Sequence, residues 1–131
     1  MVRYFTREKA ESLLPVITIT LRTLQESQRQ IQSLEEELAA LRMQSMGNGH
    51  HLRERVVSVQ TKLFTQVEAM RSALAELRNL GCELKDIETG LVDFLSLRDG
   101  QEVYLCWRLG EEHIAYWHHL DAGAAGRQPL D

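Results

Sequence analysis

The chain has little of several things, and each shortage narrows what it can be. Among 131 residues there are only two cysteines, Cys82 and Cys106, too few for a disulfide framework. Two prolines leave room for long uninterrupted helices. No run approaches the roughly 18 consecutive apolar residues that a membrane helix needs. The opening segment, Met1-Val2-Arg3-Tyr4-Phe5-Thr6-Arg7, carries charge at its third residue and lacks the apolar core of a secretion signal. A cytoplasmic location with both thiols free is therefore expected. Basic charge is also short, with 15 Lys/Arg against 19 Asp/Glu, which argues against nucleic acid as a partner. The deficit lies in the second part. Residues 1–80 carry 11 Lys/Arg and 9 Asp/Glu, whereas residues 81–131 carry 4 and 10.

What is present is helical periodicity. Thr6 is placed to cap a helix, with Glu8 near its positive end. Pro15 removes an amide donor inside the apolar pattern, which predicts a kink, or a short helix 7–13 before a longer one. Leu14, Ile17, Leu21, Leu24, Gln28 and Ile31 follow a coiled-coil-like seam, and an extra three-residue step leads to Leu34, Leu38 and Leu41. Gly47-Asn48-Gly49 is read as the turn. Leu52, Val56, Val59 and Leu63 begin the return helix. An extra four-residue step then leads to Val67, Met70, Leu74 and Leu77, with Gly81 as the closing cap. The two phase breaks would face each other in an antiparallel hairpin, unless both helices simply bury wider stripes. Apolar residues off the seam (Ile19, Val57, Phe64) predict a second contact face, met most simply by a homodimer forming a four-helix bundle.

After Gly81 the period shortens. Residues 83–87 read as a short strand, Gly90 to Phe94 as an irregular connection, and residues 98–101 as a turn. Glu102–Leu109 and Glu112–His119 read as a hairpin around Gly110-Glu111. The expected fold class is thus α+β, mainly α. A helical hairpin over 1–81 packs as one structural unit with a small antiparallel β region over 82–131.

Chemistry has few places to sit. Pairing Arg108 with His113 puts Val103, Leu105 and Trp107 on one face with Ile114, Tyr116 and His118. Tyr104, Cys106 and Arg108 then share the other with His113, Ala115, Trp117 and His119. In that register Cys106 and His118 point apart. A histidine at a buried edge is ordinarily a hydrogen-bonded structural group. The metal reading groups His118 or His119 with Asp121 as ligands for a divalent transition ion, with Cys106 or His113 as further candidates, and Arg127 would hold an anion beside the Gly123–Gly126 loop. Cys106 as a nucleophile would need a base such as His113 or His119, while Cys82 follows a helix C-terminus, where thiolate is disfavoured. Glu111 and Glu112 fit a solvated turn.

Certain stretches resemble a family of small bacterial proteins of unknown function. They are Gly90-Leu91-Val92-Asp93-Phe94, Leu105-Cys106-Trp107-Arg108-Leu109-Gly110-Glu111, and Trp117-His118 through Asp121-Ala122-Gly123 to Gly126-Arg127-Gln128-Pro129-Leu130. Tyr4-Phe5-Thr6 and the Glu8–Pro15 segment look like that family's opening, while Leu95 and Ala124 depart from its usual proline and bulky aromatic. The resemblance implies no activity. It directs attention to Trp107, Glu111, Trp117, His118, Asp121 and Arg127 as a pocket. With no complete catalytic set, the leading expectation is a non-enzymatic interaction protein that self-associates through its hairpin and can dock a protein partner. A small metal-dependent enzyme or metal/anion sensor is the alternative.

Overall fold

A computed structural model describes residues 2–48 and 52–131. The fold is α+β: a long helical region followed by a five-stranded antiparallel sheet in the order β1-β2-β3-β4-β5. The helices are α1 (Arg7–Ser12), α2 (Leu14–Asn48) and α3 (Arg53–Leu80). The strands are β1 (Glu83–Asp86), β2 (Leu91–Arg98), β3 (Gln101–Arg108), β4 (Tyr116–His119) and β5 (Gln128–Pro129), with a 3-10 turn at Ala124–Gly126. Two compact units result, one of Met1–Arg22 with Ala75–Asp131, the other of Thr23–Leu74.

Local chemistry sets the start of the chain as expected. The Thr6 hydroxyl accepts from the Lys9 amide at 3.1 Å, capping α1. The chain breaks at Leu13, and Pro15 becomes the second residue of α2, where its missing N–H costs nothing. The turn expected at Gly47-Asn48-Gly49 lies partly outside the described residues; α2 is helical through Asn48.

In the Thr23–Leu74 unit, Leu34, Leu41, Leu52 and Val59 form a buried core flanked by Leu38, Val56 and Leu63. The seams differ from expectation in phase. On α2, Ser27 is buried and Gln28 exposed, so the extra three-residue step falls after Leu24 rather than after Ile31. On α3, Val56, Val59, Leu63, Gln66, Met70, Ala73 and Leu77 form an unbroken seven-residue repeat of covered positions, with Glu68, Ala69 and Leu74 half-buried beside it and Val67 exposed. The expected facing phase breaks are therefore not formed. The reason is that small or polar residues (Ser27, Gln66, Ala73) occupy seam positions that a pattern of bulky apolar residues does not mark.

The other unit is organised around β2. Its sequence Leu91-Val92-Asp93-Phe94 is not an irregular connection but a strand buried on both faces, so it lacks the alternation of a half-exposed strand. β1 pairs only with Leu91–Asp93, which leaves the far edge of β2 open. The N-terminal segment covers it: the Phe5 amide donates to the Leu95 carbonyl at 2.8 Å, and the Ser96 hydroxyl donates to the Phe5 carbonyl at 2.6 Å. The Phe5 ring meets Phe94 edge-on at 5.3 Å. Arg3 donates to the Leu80 carbonyl at 3.1 Å, satisfying the end of α3. β2 and β3 join through Asp99-Gly100, both at positive φ (53° and 79°), the two-residue turn that matches strand twist.

Gly81 leaves α3 at φ +99°, and a Cβ there would stand 2.8 Å from Cζ of Phe5. Gly81→Ala should therefore combine backbone strain with displacement of Phe5, at a cost of about 1–3 kcal/mol. Urea denaturation measures it, and an unchanged midpoint would contradict this packing.

Candidate functional site

The register of β3 against β4 decides which side chains meet. Tyr104 lies opposite His118, Leu105 opposite Trp117, and Cys106 opposite Tyr116. This is one residue away from the register expected from an Arg108–His113 pairing, and a one-residue slip exchanges the faces of a strand. The slip arises because the connection is wider than a tight turn: β4 starts only at Tyr116. Within the connection the Glu111 amide donates to the Arg108 carbonyl at 2.9 Å, and Trp107 Nε1 donates to the Glu111 carbonyl at 2.9 Å. His118 therefore shares its face with Tyr104 and Cys106, while Trp117 joins Leu105 and Phe94 on the other. The expectation that Cys106 and His118 point apart is overturned.

Asp93, directly opposite Cys106 on the neighbouring strand, completes a buried trio. Exposure is 1% for Asp93, 0% for Cys106 and 2% for His118. His118 Nε2 lies 3.0 Å from Asp93 Oδ2, and Nδ1 lies 2.7 Å from the His119 carbonyl oxygen. A carbonyl only accepts, so Nδ1 carries a proton. Nε2 and Oδ2 then hold one further proton between them, since neither a bare imidazole nitrogen nor a bare carboxylate can donate. Whichever atom keeps it, the pair carries no net charge, which suits burial.

Burial pushes the Cys106 thiol up to about 12; the Asp93 carboxylate adds to the shift and Arg127 opposes it. The Tyr104 ring tilts over His118 at 5.5 Å, and its hydroxyl donates to Glu83 at 2.7 Å. Burial and that hydrogen bond raise the Tyr104 phenol to about 12. Among the described residues this trio is the one group whose carboxylate, thiol and imidazole ligand atoms all lie within 4.8 Å of one another. Asp93 Oδ1 is buried with no hydrogen-bond partner.

The other residues singled out from sequence are distributed around this centre. Trp107, Glu111 and Arg127 do come together. Arg127 Nη2 donates to Glu111 Oε1 at 2.7 Å and to the Cys106 carbonyl at 3.3 Å, and the Arg108 amide donates to the same Glu111 oxygen at 2.8 Å. Burial would raise the Glu111 carboxyl, but these donors overrule it and hold the group below its ordinary value. Glu111 is thus a bound carboxylate rather than a solvated one. Arg127 stacks on the Tyr116 ring at 4.1 Å. Gly126 and Arg127 donate their amides to the Gly123 and Ala124 carbonyls, so the tail's donors serve its own turn.

Asp121 is exposed in the turn after β4, and the carboxylate that meets His118 is Asp93. Trp117 sits on the opposite face beside a cleft of about 380 Å³, with Arg98 stacked 4.7 Å over its ring. Cys82 donates its thiol to the Leu77 carbonyl at 3.6 Å, and burial raises it to about 11.

Asp93 is the residue that sequence reasoning passed over. The available signal was a single carboxylate inside the apolar run Leu91–Leu95: a charge buried in a central strand requires a partner. Two raised, buried thiols predict that neither cysteine reacts with Ellman's reagent at pH 8 while the protein is folded, and that both react in guanidinium. One fast-reacting thiol in the native state would contradict the burial of the site.

The family model described as "Uncharacterized conserved protein (DUF2203)" matches residues 3–130. No curated protein and no solved structure matches the chain.

Proposed function

We propose that this chain, which belongs to the DUF2203 family of uncharacterized conserved proteins, is a non-enzymatic cytoplasmic interaction protein that forms a homodimer through the outer face of α3. The observation that carries the reading is a pair of exposed apolar side chains on α3. Val57 and Phe64, seven residues apart, are 54% and 66% exposed on the face turned away from the buried seam. Hydrophobic side chains repeating at that spacing are what a coiled-coil-like partner covers.

The flanking charges favour an antiparallel second copy. A two-fold axis at residues 60–61 lays Val57 against Phe64 of the second copy twice, and sets Arg53 against Glu68 of the second copy twice. A parallel pairing would instead place Arg53 on Arg53 and Glu68 on Glu68. An isologous contact that closes on itself stops at the dimer. Free buried cysteines support a reducing compartment, and no described helix is long and apolar enough to cross a membrane.

Analytical ultracentrifugation at micromolar concentration should find a dimer. Burying two copies of Phe64 contributes about 3–6 kcal/mol, so Phe64→Asp should weaken association by more than about 100-fold without altering helix content. Arg53→Glu should weaken it roughly tenfold, and Glu68→Arg added to it should restore it. A folded wild-type monomer throughout the micromolar range would overturn the proposal.

A further inference from the structure

We infer that the trio Asp93, Cys106 and His118 is a binding site for a borderline-soft divalent transition ion, with zinc as its most suitable occupant. The ion would tie β2, β3 and β4 together. The ligand types are those zinc takes: imidazole nitrogen, thiolate sulfur and carboxylate oxygen. His118 is already oriented for the task. Its Nδ1–H is held by the His119 carbonyl, the outer-sphere contact that fixes a ligating imidazole, and this leaves Nε2 aimed into the trio. Asp93 supplies an independent sign: its carboxylate is 1% exposed and faces both the His118 ring and the Cys106 thiol, and Oδ1 makes no hydrogen bond of ordinary geometry. Asp93, Cys106 and His118 present three protein donors, which leaves the fourth position of a tetrahedral ion to water.

The geometry is within reach. A tetrahedral ion about 2.0 Å from nitrogen and oxygen and about 2.3 Å from sulfur spaces those ligands roughly 3.3–3.5 Å apart. The trio's ligand atoms already lie within 4.8 Å of one another, with Nε2 and Oδ2 at 3.0 Å. The ion therefore needs the nitrogen–oxygen pair to open slightly and the sulfur to close in.

The charge balance also holds. Without metal, the site carries a neutral thiol and one proton shared by Nε2 and Oδ2. A divalent cation replaces both protons, forming bonds to thiolate, carboxylate and neutral imidazole. Two protons leave to solvent, and the net charge of the buried site stays zero. Metal binding of this kind is coupled to deprotonation of its ligands. All three ligand residues are buried, so the ion's role would be to hold β2, β3 and β4 together.

The test is titration of the full-length, chelator-stripped protein with cobalt(II), which reports a thiolate ligand through a near-ultraviolet charge-transfer band. One cobalt per chain is expected, with that band, displacement by zinc, and release of two protons per ion in weakly buffered solution. The band should persist in Cys82→Ser and vanish in Cys106→Ser, and His118→Gln should lower affinity by at least 10-fold. If Cys106→Ser fails to fold, the wild-type proton count and the Cys82→Ser spectrum still decide. No stoichiometric cobalt in the folded wild type, a band lost with Cys82 or one retained without Cys106 would each overturn the assignment.

Discussion

The buried contact between Asp93 and His118 constrains how the strands of the sheet come together. It joins the second strand to the fourth across the third, at a sequence separation of 25 residues, with both groups out of water. Removing one member of a buried charged or proton-sharing pair costs about 3–5 kcal/mol. That is a large share of the roughly 5–15 kcal/mol that holds a domain folded. A one-residue shift of β4 would carry His118 to the face of Leu105 and Phe94 and leave Asp93 alone. The register follows from that penalty, and so does the placement of Trp117 on the apolar face.

The surrounding contacts depend on the same register. With Cys106 opposite Tyr116, the Cys106 carbonyl and the Tyr116 ring lie where Arg127 reaches both, and Arg127 then binds Glu111. Glu111 in turn accepts from the Arg108 amide, while its carbonyl holds the Trp107 indole. The tail after β4 is thus fastened to the connection before it by charge-assisted hydrogen bonds, stronger than neutral ones. At the other end of β2, Phe5 does the complementary work with one backbone hydrogen bond, one from the Ser96 hydroxyl and an aromatic edge, closing a strand edge that β1 is too short to cover.

Features set by neighbours in sequence were legible. Thr6 is a cap because its hydroxyl needs only an amide three residues on, and Asp99-Gly100 is a turn because only such residues accept positive φ readily. Features set across the fold were hidden. Ser27 and Ala73 are buried and Gln66 is half-buried at seam positions, although none of them is a bulky apolar residue. β2 was misread because burial on both faces erases alternation. The trio was hidden by one error propagated: the tight-turn register separated Cys106 from His118, and Asp93 was assigned to no strand at all. The positions picked out by resemblance fared unevenly, since Trp107, Glu111 and Arg127 assemble while Asp121 stands in solvent.

The two cysteines show how position gives a residue its meaning. Both are free, both are buried, and burial raises both thiols far above neutrality. Neither is a nucleophile in that state, since the thiolate is the reactive form. They differ in what faces them. The Cys82 thiol meets a backbone carbonyl of the helix end, an acceptor that no ion displaces. The Cys106 thiol meets a carboxylate with an unpartnered oxygen and an imidazole whose second nitrogen is already held. The Cys82 thiol closes the end of α3, whereas the Cys106 thiol stands beside a buried carboxylate and imidazole on the neighbouring strands.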